Sequence, residues 1–146
     1  MYRKGNVSAG NSYFVNYDKV PGLTDELCKK IEERISVSGT VEDRLNLSFD
    51  AHFDLVTIHP FYDGNGRTSR LLMNFIPRFY GLPLSIVFKE DKADYFNSLI
   101  DRRVKEDISI LRSFMYAQMA KQLAEEIHKY NDPKNQGQGG RFSMIF

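Results

Sequence analysis

The stretch His59-Pro60-Phe61-Tyr62-Asp63-Gly64-Asn65-Gly66 separates two runs of helical periodicity and so dictates a helix–loop–helix at the middle of the chain. Upstream, Leu47, Ala51, Leu55 and Ile58 recur at helical spacing, marking a helix expected to begin near Asn46 or Ser48. Pro60 disfavours helical geometry at the residue before it, so that helix should stop at His59. Gly-Asn-Gly makes the turn. A following helix is expected from about Arg67, with Leu71, Leu72, Phe75, Ile76 and Phe79 on its buried face. Pro77 should kink or end it, because the ring blocks one backbone bond.

The remaining segments follow the same logic. Tyr13-Phe-Val-Asn-Tyr17, beside Gly5, Gly10, Asn11 and Ser12, suggests a short hairpin closed by Pro21-Gly22. Thr24, Asp25 and Glu26 make a helix start, with Leu27, Ile31 and Ile35 on one face and Gly39 at the end. Gly81-Leu-Pro83 is a break. Asp91 can cap a helix over about 92–104, and Asp107 or Ser109 opens a last long helix to about Tyr130. In that helix Ile110, Phe114, Ala117, Ala120 and Leu123 recur at helical spacing, while Met115 and Met119 read as core filler. From Asn131 to Phe146 the chain turns rich in Gly, Asn and Gln before an apolar end, a linker-like tail whose end is expected to pack on something. The expected architecture is all-α, a mostly helical bundle with one small β-hairpin near the N-terminus. It comprises one domain over 1–130 and a tail over 131–146.

Composition narrows the function classes. A chain of 146 residues suits a single domain, which at this size buries roughly 70% of its unfolded surface. The net charge of +1 gives no global attraction for nucleic acid or an anionic membrane, so any anion site has to be local. Cys28 is the single cysteine and cannot form an internal disulfide, which suits a reducing compartment; it reads as a packed structural residue. No segment approaches the ~18 consecutive apolar residues of a membrane span. Met1 to Asn6 lacks the apolar stretch of a signal peptide. A cytoplasmic location is the expectation, with export as an effector left open.

The chemistry gathers in residues 59–70. Glycines flanking Asn65 let the backbone turn with its amides exposed, and the helix start beyond them adds unpaired N–H donors and a partial positive charge. Arg67 and Arg70 fall three residues apart in the first turn, where cations oppose the helix dipole. Two arginines there make sense against a polyanion. Asp63 beside this cradle is placed to hold Mg²⁺, which takes one or two protein oxygens and keeps most of its waters. His59, at the end of the preceding helix, suits a general base. Each feature alone has an ordinary structural explanation. Their joint occurrence points to phosphoryl or nucleotidyl transfer, in which positioning and charge neutralisation do most of the catalysis. His52 reads as structural and His128 as surface.

The segment His59-Pro-Phe-Tyr-Asp-Gly-Asn-Gly-Arg-Thr-Ser-Arg70 resembles the signature of Fic-domain proteins, His-x-Phe-x-(Asp/Glu)-Gly-Asn-Gly-Arg-x-x-Arg, at every fixed position. The similarity extends to Ala51-His52 and Ile58 before it, Asn11 to Tyr17 as a flap within about residues 8–20, and Tyr95, Leu99 and Asp107 to Phe114 after it. The resemblance implies a protein adenylyltransferase that moves AMP from ATP to a Ser, Thr or Tyr hydroxyl. It implies that His59 is the base and that Phe61 anchors the loop of 59–66. Asp63 would coordinate Mg²⁺ between the α- and β-phosphates. Gly64, Asn65 and Gly66 would form the anion hole, Asn65 by its side chain, and Arg67 and Arg70 would hold the β- and γ-phosphates. The target protein would dock on the flap, Asn11–Tyr17.

Two departures accompany the resemblance. Ser38-Gly-Thr-Val-Glu42-Asp43 is the nearest approach to the family's inhibitory pattern (Ser/Thr)-x-x-x-Glu-(Gly/Asn) and does not match it. Inhibition would then come from a separate partner or an upstream segment, or be absent. Position 103, near adenine-contacting residues in that family, is an arginine, which leaves the base preference open. Alternatives are transfer of another nucleotide, removal of AMP by the same site, or a nucleotide- or phosphate-binding module without turnover. Kinase-like transfer fits less well because Gly66 is intact, and DNA binding is weak because the basic residues form no stripe.

Overall fold

The structure, a computed structural model, describes residues 1–10 and 12–132; Asn11 of the hairpin and the expected tail over 133–146 lie outside them. The chain forms β1 (Ser8–Ala9), β2 (Ser12–Tyr13), a single 3₁₀ turn (Tyr17–Lys19), α1 (Val20–Val37), α2 (Val41–Ile58), α3 (Asn65–Phe79), α4 (Lys92–Lys105) and α5 (Ile108–Asn131). The expectation of a mostly helical fold with one small hairpin holds. Among the described residues no helix is long and apolar enough to cross a membrane.

The helix α2 is the axis of the fold. Its Leu47, Ala51, Leu55 and Ile58, the stripe expected from the sequence, meet Val20, Leu27 and Ile31 of α1 and Ile76 of α3. On its other side Leu45 and Phe49 meet Met73 of α3, Tyr95 and Leu99 of α4, and Leu111 and Met115 of α5. Each fully buried Leu, Ile, Phe or Met contributes about 1.5–3 kcal/mol, so both flanks of α2 anchor it. Between them Asp50, 4% exposed, takes Arg102 of α4 at 3.0 Å and Arg112 of α5 at 2.5 Å. One carboxylate thus ties three helices together.

Several boundaries differ from the sequence reading. Helix α2 starts at Val41, well before Asn46, because Thr40 and Asp43 form a reciprocal capping box at 3.0 and 3.2 Å. Helix α1 starts at Val20 rather than Thr24: Pro21 is tolerated in the first turn, and the Thr24 hydroxyl donates back to the Val20 carbonyl at 2.8 Å. Pro21-Gly22 therefore belongs to the helix and closes no hairpin. The hairpin itself is shorter than expected, with Ser8 paired to Tyr13 and Ala9 to Ser12. Helix α3 begins at Asn65, two residues before Arg67, and runs past Pro77 to Phe79.

Two apolar faces are rotated from expectation. On α3 the buried positions are Ser69, Met73, Ile76 and Pro77, whereas Leu71, Phe75 and Phe79 are exposed. Helix α2 lies along one side of α3, and among the described residues no helix covers Leu71, Phe75 and Phe79 on the opposite side. On α5 the seam runs through Leu111, Met115 and Gln118, leaving Ala117, Ala120 and Leu123 exposed. Cys28 is exposed rather than packed, one position beyond the buried Leu27.

Candidate active site

The loop between α2 and α3 is held by main-chain contacts that begin at the other end of the chain. Helix α2 ends at His59, whose backbone adopts the left-handed region at φ 52°, ψ 60°. That conformation is uncommon for a residue with a β-carbon and has to be over-determined by its surroundings. Its N–H bonds the Leu55 carbonyl at 3.0 Å. Arg3, buried although charged, donates from Nε to the His59 carbonyl at 2.8 Å and from Nη1 to Gly5 at 2.8 Å. Its other nitrogen reaches the carbonyls of Val15 and Ile58, and its main-chain N–H bonds the Pro60 carbonyl at 2.9 Å. A guanidinium at the carbonyl end of α2 also matches the helix dipole. Arg3 thereby clips the flap segment to the start of the loop.

Asn65 closes the loop from the other side. Its amide is buried, with Oδ1 accepting from the Phe61 N–H at 2.9 Å and Nδ2 donating to the Phe61 carbonyl at 2.7 Å. Oδ1 and one Nδ2 proton thus clamp Phe61, whose half-buried ring stacks on Tyr2, and the second Nδ2 proton is left for the anion-hole role implied for this side chain. The first turn of α3 offers further donors, because its leading N–H groups have no intrahelical acceptor. Gly64 caps that turn at φ 82°, a value that favours glycine. At Gly66 a β-carbon would stand 3.4 Å from Arg70 Nη1, so the bare backbone lets Arg70 lie against it.

His59, Tyr62, Asp63, Gly64, Asn65, Gly66, Arg67 and Arg70 line one open cleft of about 270 Å³. The fold thus brings together the seven residues expected to serve catalysis, phosphate binding and metal binding, and adds Tyr62. The Tyr62 hydroxyl accepts the Lys4 N–H at 2.9 Å, a second tie between the N-terminal strap and the loop. Asp63 is almost fully exposed; Oδ1 accepts the Gly64 N–H at 2.6 Å and Oδ2 lies 3.3 Å from Arg67. Among the described residues no cluster of three or more His, Cys, Asp or Glu side chains forms a metal cage. A single exposed carboxylate beside an anion cradle is nevertheless the donor set Mg²⁺ accepts, with phosphate oxygens and water completing the shell.

His59 is half-buried, and its Nδ1 lies 3.3 Å from the Val56 carbonyl. A carbonyl can only accept, so Nδ1 carries the proton and Nε2 keeps its lone pair. Burial lowers the imidazole pKa below its ordinary value. The Val56 carbonyl opposes this, and the charges of Arg3 and Arg103 push downward by smaller amounts. The imidazole is thus neutral at pH 7. Phe14, just beyond β2, stacks on the ring with centroids 3.7 Å apart and planes inclined by 17°, and Arg103 lies over the Phe14 ring at 5.7 Å. Sequence reading placed Phe14 in the flap without linking it to His59, and nothing in the sequence around Arg3 marked it as a buried clamp. These contacts join residues more than forty positions apart, which no local pattern encodes.

His52 is fully buried, as its structural reading anticipated, and its Nε2 lies 2.6 Å from the Tyr95 hydroxyl. Burial pulls its pKa down to about 4, helped by the charges of Arg70 and Arg102, so it is neutral throughout the physiological range.

A helical bundle that presents this loop beneath a hairpin defines the Fic class of protein. A profile of the Fic/DOC family matches residues 1–76, and the chain belongs to that family. It is similar to the protein adenylyltransferase fic-1 of Caenorhabditis elegans, 40% identical over 80 residues, which is 54% of this chain and 16% of that protein. The Caenorhabditis briggsae protein adenylyltransferase fic-1 is 53% identical over 77 residues, 53% of this chain and 15% of its own length. The chain thus spans about a sixth of these curated relatives. Among solved structures, a Fic domain containing signaling protein from Bacteroides thetaiotaomicron shares the fold, with a TM-score of 0.74 at 23% identity, over 84% of this chain and 52% of that one. Fic-1 from C. elegans superposes with a TM-score of 0.71 at 25% identity, over 88% of this chain and 37% of that one.

Proposed function

We propose that this chain is a protein adenylyltransferase that transfers AMP from ATP to a hydroxyl side chain of a target protein, with Mg²⁺ and with His59 as general base. The observation that carries the reading is the state of His59: its Nδ1 proton is committed to the Val56 carbonyl, it is uncharged at pH 7, and it opens on a cleft shared with two arginines and a helix N-terminus. A module that only bound a phosphate would have no use for a positioned base. The names of the curated relatives support the same reading.

In this mechanism His59 Nε2 accepts the proton of the target hydroxyl as its oxygen bonds to the α-phosphorus. The bond from that phosphorus to the bridging oxygen breaks, and pyrophosphate leaves with the electron pair. Arg67 and Arg70 neutralise the departing β- and γ-phosphates, and the first-turn N–H groups of Asn65 and Gly66 receive charge developing on the α-phosphate. Asp63 would hold Mg²⁺, which would supply further neutralisation of the phosphate charge. Because Phe14 covers one ring face and the Nε2 lone pair lies in the ring plane, the stack orients the base without blocking it. The target would align on the flap by adding its backbone beside β2, a mode that specifies geometry more than sequence.

The test is incubation with labelled ATP and Mg²⁺, alone and with candidate target proteins, comparing wild type with His59→Ala. The expected result is label on protein that falls by about 10²–10⁴-fold in the variant, the range for loss of a general base. ATP binding of equal strength in both proteins with no transfer in either would establish a binding module instead. Parallel runs with CTP, GTP and UTP identify the nucleotide.

A further inference from the structure

The hairpin and the histidine share one mount. Arg3 bonds the His59 carbonyl at 2.8 Å, the Gly5 carbonyl at 2.8 Å and the Val15 carbonyl. Gly5 and Val15 flank the β1–β2 hairpin, so a single guanidinium fixes the hairpin and the turn at His59 relative to each other. Phe14 lies between β2 and that clamp. Its ring meets the His59 imidazole with centroids 3.7 Å apart and planes inclined by 17°.

Packing of the interior does not account for this ring. Phe14 is only half-buried and belongs to neither core cluster, whereas Val15 beside it packs against the first. Among the described residues the aromatic and cationic groups that meet its ring are His59 and Arg103, the latter at 5.7 Å. Arg103 has no carboxylate among the described ion pairs, and its Nε is buried without a hydrogen-bond partner. Its place over Phe14 therefore backs the stack from α4 without tying the cation to an acid.

His59 needs such support. Its one ring hydrogen bond, Nδ1 to the Val56 carbonyl at 3.3 Å, is long for an N–H donor. Rotation of a histidine ring about its last side-chain bond has a broad profile, so one long contact leaves the ring room to swing. A neighbour lying face to face blocks that swing.

We propose that Phe14 is a positioning residue through which the hairpin holds the general base, so that the segment expected to receive the target also aims His59. The inference rests on the functional reading above, in which His59 takes the proton of the target hydroxyl. It gives the flap a second task besides docking: the order of the hairpin sets the order of the imidazole.

The test joins NMR of the histidine rings, assigned with His59→Ala, to label transfer from ATP and calorimetric ATP binding. Phe14→Leu keeps an apolar side chain and removes the ring; Phe14→Tyr restores it. In wild type and Phe14→Tyr the His59 ring should be rigid on the ps–ns timescale, and in Phe14→Leu its order parameter should fall. Transfer by Phe14→Leu should drop roughly tenfold to a hundredfold, the scale of a misaligned reacting group. ATP affinity should be unchanged, because Phe14 lies outside the phosphate-binding cleft. In the His59→Ala background the same change should cost nothing further. Ala9→Pro, which weakens the β1–β2 pairing away from the cleft, should loosen the His59 ring when Phe14 is present and have no added effect in Phe14→Leu. A His59 ring equally rigid in Phe14→Leu, a tyrosine that fails to restore it, or Ala9→Pro acting alike in both backgrounds would overturn the proposal. So would a loss of ATP affinity matching the loss of transfer, which would mark a general disturbance of the cleft. A wild type that transfers no label while its ring order responds as expected would remove the functional reading and, with it, the catalytic task of the stack.

Discussion

The two sides of the first turns of α3 are built on opposite terms. The front, with Asp63, Gly64, Arg67 and Arg70, is exposed, and its one ion pair, Asp63 to Arg67, is a solvent-facing contact of 3.3 Å. Exposed pairs of that kind contribute little to stability. The rear, with Asn65, Ser69, His52, Tyr95 and, two residues before His52 on α2, Asp50, is buried and almost fully hydrogen-bonded. The same helix thus carries unspent charge toward solvent and satisfied polarity toward the core. Charges kept free of protein partners are available to a ligand. The rigidity that aims them comes from behind.

If that division is right, changes to the rear should cost stability and changes to the front should cost binding. The largest effect is expected for Asp50→Ala, which leaves Arg102 and Arg112 without their shared carboxylate. Removing one partner of a buried ion pair costs about 3–5 kcal/mol, so urea denaturation should show an unfolding free energy lower by that amount, read as a lower midpoint. A midpoint that scarcely moves would mean the two arginines find water or new partners.

Acid provides a second probe of the rear. His52 titrates near 4 in the folded chain and near its ordinary value of about 6.5 when unfolded. Above that ordinary value both states leave it neutral and its full contribution is present. As pH falls toward 4 the unfolded chain takes up the proton first, so stability declines by roughly 3 kcal/mol across that window. Denaturation at pH 7 and pH 5, with wild type against His52→Gln, isolates the histidine: the variant should show the shallower decline.

Gly66→Ala lies at the boundary between the two sides. The added β-carbon would stand 3.4 Å from Arg70 Nη1, at the near edge of ordinary van der Waals contact, and would bias the guanidinium away from its place. ATP affinity is expected to fall several-fold while the melting temperature stays level or rises, since alanine is the better helix former by about 1 kcal/mol. The smallest effect is expected for Arg103→Gln. Removing its charge from the neighbourhood of His59 should raise the acid limb of the pH–rate profile by a fraction of a unit, from a starting point below about 6.5. A shift in the opposite direction would show that Arg103 acts on His59 chiefly through Phe14.

Much of this was legible without coordinates. The stripe on α2, its termination at His59, the N-terminal turn of α3 and the assembly of His59, Asp63, Arg67 and Arg70 all follow from periodicity and from what proline and glycine permit. These are local properties, set by a residue and its neighbours within one turn. Which face of a helix is buried is not local. Leu71, Phe75 and Phe79 are as apolar as Met73 and Ile76, and only the position of α2 decides between them.

The sequence by itself determined a helical chain with a glycine-rich loop at a helix start flanked by His59, Asp63, Arg67 and Arg70, because backbone sterics and helix caps act over a few residues. Only the tertiary structure decided how that loop is aimed. Arg3 reaches His59, Phe14 covers its ring, Asn65 turns its amide inward to Phe61 and Tyr95 meets His52. With the exception of the Asn65 clamp, these contacts cross from one element to another over long stretches of sequence. Their partners are chosen by how the helices pack around α2 and by the need of each buried polar atom to find a mate.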